Sequence, residues 1–135
     1  MKEVRKEIQF RDKTYTMVFT LNVMEAIQEE YGTIETWAEL SDGKMPMRDE
    51  KGELILDDKD EPIFVRREPN AKAVIFGFTE MLNEGIAIDN EENGKNEPFL
   101  TRRQVGRIIT EVGLDKATEE MNETIIESTR TEKNE

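Results

Sequence analysis

Cysteine and histidine are absent from this chain of 135 residues. The sequence therefore lacks a thiol nucleophile, a disulfide, an imidazole for acid–base catalysis and the cysteine or histidine ligands of zinc. Its only serines, Ser41 and Ser128, both lie in polar settings. We therefore expect no catalytic residue, no cofactor and no metal site, and an enzyme is the least expected class. The lack of disulfides fits a cytoplasmic protein.

Basic residues are few, because 19 Lys and Arg stand against 31 Asp and Glu, giving a net charge of -12. Nucleic-acid binding relies on Lys and Arg that displace counterions from phosphates, so we expect no nucleic-acid partner and no anionic membrane partner. The N-terminus has no apolar run like a signal peptide, and no stretch is long enough to span a bilayer. Residues 1–24 carry a charge of +2 and residues 25–40 a charge of -5. Either the two segments neutralise each other in the fold, or each meets a partner.

Apolar residues are also scarce, since they make up 36% of the chain where typical domains have roughly 45–50%. The shortfall lies in three polar segments, residues 42–62, 89–97 and 128–135. A chain of this length is expected to form one domain with a modest core. We place that single α+β domain at residues 1–128, followed by a frayed polar tail at residues 129–135.

The pattern of apolar residues predicts an N-terminal β-hairpin packed on a bundle of four to five helices, with a β-hairpin or meander arm inserted at about residues 45–66. The hairpin is expected to turn at residues 11–13. Asn22 is the expected N-cap of the first helix, with Thr20 as the other candidate. Gly32 is expected to end that helix.

Four further helices follow from apolar residues at helical spacing. They are a short helix over 33–40, a central helix over about 70–84 that Gly85 ends, a helix from the Thr101–Gln104 capping box to Gly113, and a last helix over about 115–128. Residues 89–97 are expected to form a solvated loop. They partly imitate a calcium-binding loop, but position twelve is Leu100, where calcium coordination requires a Glu.

The inserted arm contains a nine-residue pattern twice, at residues 48–56 and 57–65. Each copy is a charged turn followed by an apolar triplet, and the triplets are Leu54-Ile55-Leu56 and Ile63-Phe64-Val65. The turns are expected near Lys51-Gly52 and Lys59-Asp60. A protruding arm has to bury its triplets, either on the body of its own chain or by addition to a neighbour's sheet.

Arg102, Arg103 and Arg107 cluster at the start of a predicted helix, where the helix dipole disfavours cations. Arg103 and Arg107 are also a like-charged pair four residues apart. Such a cluster in an acidic chain indicates an acidic counterpart. Two counterparts stay open: internal carboxylates, for example those within residues 25–30, or an acidic face of a neighbouring subunit.

The order of these elements resembles the small tail assembly chaperones of long-tailed phages and prophages, especially those of Gram-positive hosts. The residues that carry the resemblance are the strand Tyr15–Phe19, the helix ending in Glu30-Tyr31-Gly32, the apolar helix around Ala73–Leu82, and Pro98-Phe99-Leu100-Thr101. The resemblance covers about two-thirds of the chain, at the level of pattern. The arm is where this chain departs from a minimal version of the pattern.

The resemblance implies a protein of the host cytoplasm that binds and solubilises the phage tape measure protein and helps to recruit the tail tube protein. It also implies absence from the finished virion, and we expect a homo-oligomer. For the helical stripes and for the tryptophan, the simpler interpretation is a place in the core. The candidate partner-binding residues are Trp37, Leu54, Ile55, Leu56, Ile63, Phe64, Val65, Arg103, Arg107, Met121 and Ile125.

Two other classes of protein stay open. An acidic phage-encoded inhibitor would mimic DNA by presenting carboxylates at the spacing of phosphates, although the Lys and Arg mixed into the arm argue against it. A minor structural virion protein, such as a head–tail connector or a tail terminator, is the second alternative. Mass spectrometry of finished particles distinguishes that alternative from a chaperone, which should be missing from them.

Overall fold

The computed structural model describes residues 1–130 of the chain. In this part, antiparallel strand pairs and helices are joined by turns and loops. The fold is α+β, as the sequence predicts, with an N-terminal hairpin and a second small sheet. The predicted frayed tail begins at Thr129, which is still helical, and its residues 131–135 lie outside the described part. In chain order the elements are β1 (Arg5–Phe10), β2 (Lys13–Val18), α1 (Leu21–Tyr31), α2 (Ile34–Asp42), β3 (Lys44–Pro46), β4 (Phe64–Arg66), α3 (Ala71–Asn93), α4 (Arg102–Val112) and α5 (Leu114–Thr129).

The N-terminal hairpin lies where it was predicted, but its turn is tighter. Phe10 pairs with Lys13, so that only two residues form the turn between β1 and β2. Arg11 in this turn has a positive φ of 58°, the conformation that short hairpin turns need to match the twist of their strands. Met17 is fully buried and Phe19, just beyond the strand, is nearly so. The hairpin therefore supplies one wall of the core.

Helix α3 lies at the centre of the core, as its apolar spacing predicts. It contacts β2, α1, α2, α4 and α5. A helix that is apolar on nearly all sides has to be covered on nearly all sides, and the shorter elements do this. Its buried apolar side chains are Ala73, Val74, Phe76, Phe78, Met81 and Leu82.

The indole of Trp37 on α2 fills a notch in α3 at Gly77. The indole has no exposed area, and its Nε1 donates a hydrogen bond to the carbonyl oxygen of Ala73 over 2.9 Å. A Cβ at Gly77 would lie 2.9 Å from Cε2 of the indole and closer still to Cζ2. Only glycine therefore lets the helix and the ring approach this closely. A buried tryptophan whose N–H is satisfied supplies a large apolar contact without the cost of an unpaired donor.

Helix α3 continues to Asn93, although the sequence predicts an end at Gly85. Gly85 is buried within the helix, and a Cβ there would collide with the carbonyl oxygen of Thr16 on β2. This glycine therefore permits a close approach of the strand, and it does not end the helix. The helix ends at Gly94, whose φ of 62° is the left-handed conformation of a C-terminal cap. The predicted loop at residues 89–97 is thus helical over residues 89–93.

The helix caps follow the sequence closely, with one exchange. Thr20 caps α1 in place of Asn22, and its Oγ1 accepts a hydrogen bond from the Asn22 N–H over 3.2 Å. Asn22 already lies within the first turn of the helix. The capping box at Thr101 is present as predicted. Gly32 and Gly113 follow α1 and α4 with positive φ, which confirms both predicted helix ends.

Three cations of the N-terminal segment pair with carboxylates on α3, α4 and α5. The pairs include Arg5–Glu92 at 2.8 Å, Lys6–Glu123 at 2.7 Å and Arg11–Glu111 at 3.4 Å. The hypothesis that residues 1–24 neutralise residues 25–40 is therefore wrong. The reason is topological, because the hairpin packs against α3, α4 and α5, whereas α1 packs on α2 and α3.

Alanine at Gly77 is expected to lower the free energy of unfolding by about 1–3 kcal/mol, because the added methyl group overpacks the notch that holds Trp37. Gly106 on α4 is a matched control, since the nearest atom to its added Cβ would be Ile75 Cδ1 at an ordinary 3.6 Å. Gly106→Ala should raise stability by up to about 1 kcal/mol, because alanine is the better helix former. Urea unfolding followed by tryptophan fluorescence measures both variants. Equal stability of the two variants would contradict the tight packing of Trp37 against Gly77.

Candidate partner-binding surfaces

A shallow groove of about 800 Å³ lies between the start of α1 and the second half of α3. We call it the apolar groove, and its apolar lining includes Leu21, Ala87, Ile88 and Phe99. Leu21 is 68% exposed and Phe99 is 60% exposed, the two highest values among the large apolar side chains of residues 1–130. Water therefore covers apolar surface here that a partner could cover instead.

Hydrogen bonds to Glu84 hold the α1 edge of the apolar groove in place. Thr20 Oγ1 donates to a carboxylate oxygen of Glu84 on α3 over 2.5 Å, and Asn22 Nδ2 donates to the same oxygen over 3.1 Å. Hydrogen bonds to an ionised carboxylate are among the stronger ones in proteins. Because both chain neighbours of Leu21 are anchored to α3, the exposure of Leu21 is a fixed property of this surface.

Two asparagines of α3 hold the segment that carries Phe99. Asn83 Oδ1 accepts from the Leu100 N–H over 2.8 Å, and Asn83 Nδ2 donates to the Leu100 carbonyl over 3.0 Å. Asn90 makes the same pair of bonds with Glu97, over 3.0 and 3.1 Å. The asparagines are seven residues apart, about two helical turns, so they lie on one face of α3. Their four hydrogen bonds fix the segment along the helix and leave the Phe99 ring exposed.

The apolar groove is suited to the apolar side chains of a helical partner. Contiguous exposed apolar surface on a soluble protein marks a binding site more often than scattered apolar residues do. The carboxylates of Glu3, Glu84 and Glu91 also line the groove, together with the ammonium group of Lys2. The excess of carboxylates favours a partner segment that carries Lys or Arg beside its apolar stripe.

The sequence pattern does not predict Leu21 and Phe99 as site residues. Each has a weak signal, because Leu21 lies off the Val23–Ile27 stripe of α1 and Phe99 is an aromatic residue beside a polar segment. Neither signal shows that the two residues come together. Their proximity depends on the continuation of α3 past Gly85, where the sequence pattern predicts the end of the helix.

The arm consists of three extended segments joined in a ring of backbone hydrogen bonds. The Met47 N–H donates to the Ile63 carbonyl, the Ile55 N–H to the Met47 carbonyl, and the Ile63 N–H to the Ile55 carbonyl, over 2.8, 3.0 and 3.1 Å. Equivalent residues are therefore eight apart. The structural repeat is therefore one residue shorter than the nine-residue repeat that the sequence predicts. As a result, the two apolar triplets do not occupy equivalent positions in the ring.

The two turns of the arm are built alike and lie where they were predicted. Gly52 and Asp60 occupy equivalent places, with positive φ values of 82° and 61°. In each turn one aspartate carboxylate accepts hydrogen bonds from backbone N–H groups of the same turn. Asp49 Oδ1 accepts from the Lys51 and Glu53 N–H groups, and Asp57 Oδ1 accepts from the Lys59 and Glu61 N–H groups.

The body of the chain leaves the arm largely uncovered. Residues 47–54 and 58–62 are all exposed. Outside the pairing of β3 with β4, the main contact of these strands is between β3 and α2. Within the triplets, Ile55, Ile63 and Val65 are half-buried, whereas Leu54, Leu56 and Phe64 are exposed. The interpretation that the body buries both triplets is therefore wrong for these three exposed residues.

A basic patch lies where α3 and α4 meet. Lys72, Arg102 and Arg103 line an apolar floor of Ile75 and Gly106, and the patch also includes the exposed Arg107, one helical turn after Arg103. Within residues 1–130, no carboxylate oxygen lies within 4.0 Å of any of these cations. The predicted internal pairing of Arg103 and Arg107 with Glu25, Glu29 or Glu30 is therefore wrong. Their repulsion, about 0.2–0.5 kcal/mol for such a pair, is not offset by an ion pair in this part of the chain.

The remaining candidate residues lie in or against the core. Trp37 and Met121 have no exposed area, and Ile125 is half-buried against the core. The simpler interpretation, that these side chains form the core, is confirmed for Trp37 and Met121. Because no partner can reach them in this fold, both are removed from the candidate partner-binding residues.

The described residues contain no group of three acidic side chains that could hold a metal ion. No helix among them combines the length and the apolar character needed to cross a membrane. Comparisons of the chain with protein-family models, with curated proteins and with solved structures find no match. A functional proposal therefore depends on the apolar groove, the arm and the basic patch.

Glu80 on α3 is a carboxylate whose charge the fold disfavours. Burial raises the pKa of Glu80 above the ordinary value of a glutamate. Arg102 opposes this shift and Glu84 adds to it. A carboxyl group with a raised pKa in the fold destabilises the folded state at pH values above that pKa.

Glu80→Gln is expected to raise the free energy of unfolding at pH 7, because the amide removes a disfavoured charge. The gain should fall as the pH drops through the folded-state pKa, and it should vanish below the ordinary glutamate range, where Glu80 is protonated in both states. Urea unfolding at several pH values measures this. Glu29→Gln, at an exposed position on α1, is the control. A Glu80→Gln gain that persists undiminished in acid would contradict the burial effect.

Proposed function

We propose that this protein is a tail assembly chaperone that binds an amphipathic helical segment of a phage tape measure protein in the apolar groove. The observation that supports this best is the exposure of Leu21 and Phe99 on a polar scaffold that keeps both residues in place. Such an arrangement lowers the entropy cost of binding, because the anchors are ordered before the partner arrives.

The groove has dimensions that suit a helix. The α3 residues along it, Glu84 to Glu91, extend for about 12 Å, or two helical turns. A docked helix would insert apolar residues from positions such as i, i+3, i+4 and i+7, as in other helix-in-groove complexes. Aromatic anchors at the edge of such grooves often carry a large share of the binding energy.

The acidity of the rest of the protein fits the same role. A tape measure protein is a long, largely helical and aggregation-prone chain, so a solubilising partner should cover its apolar stripes and present charge to water. The net charge of -12 supplies that charge. In this proposal the protein acts in the cytoplasm of the host, helps to recruit the tail tube protein, and is absent from the finished virion.

Co-expression with the tape measure protein of the same phage or prophage tests the proposal. The wild-type chain should keep the tape measure protein soluble, and Phe99→Glu or Leu21→Glu should reduce the soluble amount about tenfold, because each buries a charge at an anchor position. Ile126→Glu on α5 is the matched control, since Ile126 is 57% exposed but does not line the groove. It should leave the soluble amount unchanged.

Two results would contradict this proposal. The first is a tape measure protein that is equally soluble without the chain. The second is a loss of solubility with Ile126→Glu as large as that with Phe99→Glu. Circular dichroism of the purified variants confirms that each is folded before the comparison is made.

A further inference from the structure

We propose that the arm of one copy of this chain binds the basic patch of the next copy, so that the protein assembles head to tail. The partner is a second copy, and the two contact surfaces are distinct from the apolar groove. The inference is therefore independent of the proposed function.

The basic patch is one half of this contact. Lys72, Arg102 and Arg103 line an apolar floor, and Arg107 follows one helical turn after Arg103. None of these four cations has a carboxylate oxygen within 4.0 Å in residues 1–130. Arg102 stacks over the Phe76 ring at 5.0 Å, and burial holds the nearby Glu80 pKa high although Arg102 opposes the shift. Two of the cations, Arg102 and Arg103, lie in the first turn of α4, where the helix dipole disfavours them. The patch therefore makes no ion pair in the described part of the chain, and Glu80 is a partly buried neighbour of Arg102 alone.

The arm has the complementary properties. Residues 48–61 carry seven acidic and three basic side chains, a net charge of -4. The exposed side chains of Leu54, Leu56 and Phe64 add apolar surface beside these charges. An acidic surface with apolar side chains matches a basic rim with an apolar floor, and such complementarity selects both partner and orientation.

The arm and the basic patch occupy different parts of the same chain. No residue of the arm makes an ion pair with a cation of the patch within residues 1–130. A contact between two different surfaces of identical chains is heterologous, and it repeats into a ring or an open filament. Exposed acidic side chains also lie on α1 and α5. On α1 the exposed large apolar residue is Leu21, which lines the apolar groove, and on α5 the carboxylates of Glu123 and Glu127 already face Lys6. The arm is therefore the better match.

Paired charge reversals test the contact. The first variant reverses the patch with Arg103→Glu and Arg107→Glu. The second reverses the arm with Asp58→Lys and Glu61→Lys, two exposed positions whose side chains make no hydrogen bond in the turn. Sedimentation velocity at low ionic strength should show the wild-type chain as an assembly and each variant alone as a monomer. Equimolar mixing of the two variants should restore association, because the unchanged arm of the first variant meets the unchanged patch of the second. The new lysines in the arm of the second variant also face the new glutamates in the patch of the first.

The mixing step also excludes misfolding, because an unfolded variant could not restore the assembly. Glu25→Lys with Glu29→Lys is the control for net charge, and it should leave the assembly unchanged. Raising the salt concentration from about 0.05 to 0.5 M should shift the wild-type chain towards the monomer, since screening weakens exposed charge pairs. The proposal is overturned by a wild-type chain that is monomeric at low salt, by variants that assemble alone, or by a mixture that stays monomeric.

Discussion

The packing of Trp37 against the backbone of α3 at Gly77 is the constraint on which the rest of the fold depends. It fixes α2 on the central helix and leaves no room for a side chain at that point. Eight residues later, Gly85 lets the backbone of β2 approach the same helix at Thr16. Two glycines that are weak helix formers thus determine where the largest aromatic residue and the hairpin meet α3.

The same helix connects the core to the candidate binding surface. Its first half is buried on nearly all sides, whereas its second half, from Asn83 onward, is only partly covered apart from Gly85. There Glu84 anchors the start of α1, and Asn83 and Asn90 anchor the segment that carries Phe99. These polar contacts keep apolar side chains in water at fixed positions. One half of this continuous helix therefore belongs to the core, and the other half lines the exposed apolar groove.

Much of the fold could be predicted from the sequence, because hairpin, caps and helix faces depend on short-range patterns. The capping box at Thr101 and the stop at Gly113 are local chemistry, and both are confirmed. The role of Gly85 could not be read locally, since a glycine that ends a helix and one that admits a strand look the same in sequence. The apolar groove was missed for this reason. The predicted pairing partners of the cations failed because ion pairs depend on which elements become neighbours.

The most direct test of the central claim is photo-crosslinking from the apolar groove. A benzoylphenylalanine at position 99 keeps an aromatic ring at the groove, and the same residue at position 126 reports on a comparably exposed site outside it. Irradiation after co-expression with the tape measure protein should give a crosslinked product from position 99 and little from position 126. Equal crosslinking from both positions, or none from position 99, would contradict the account.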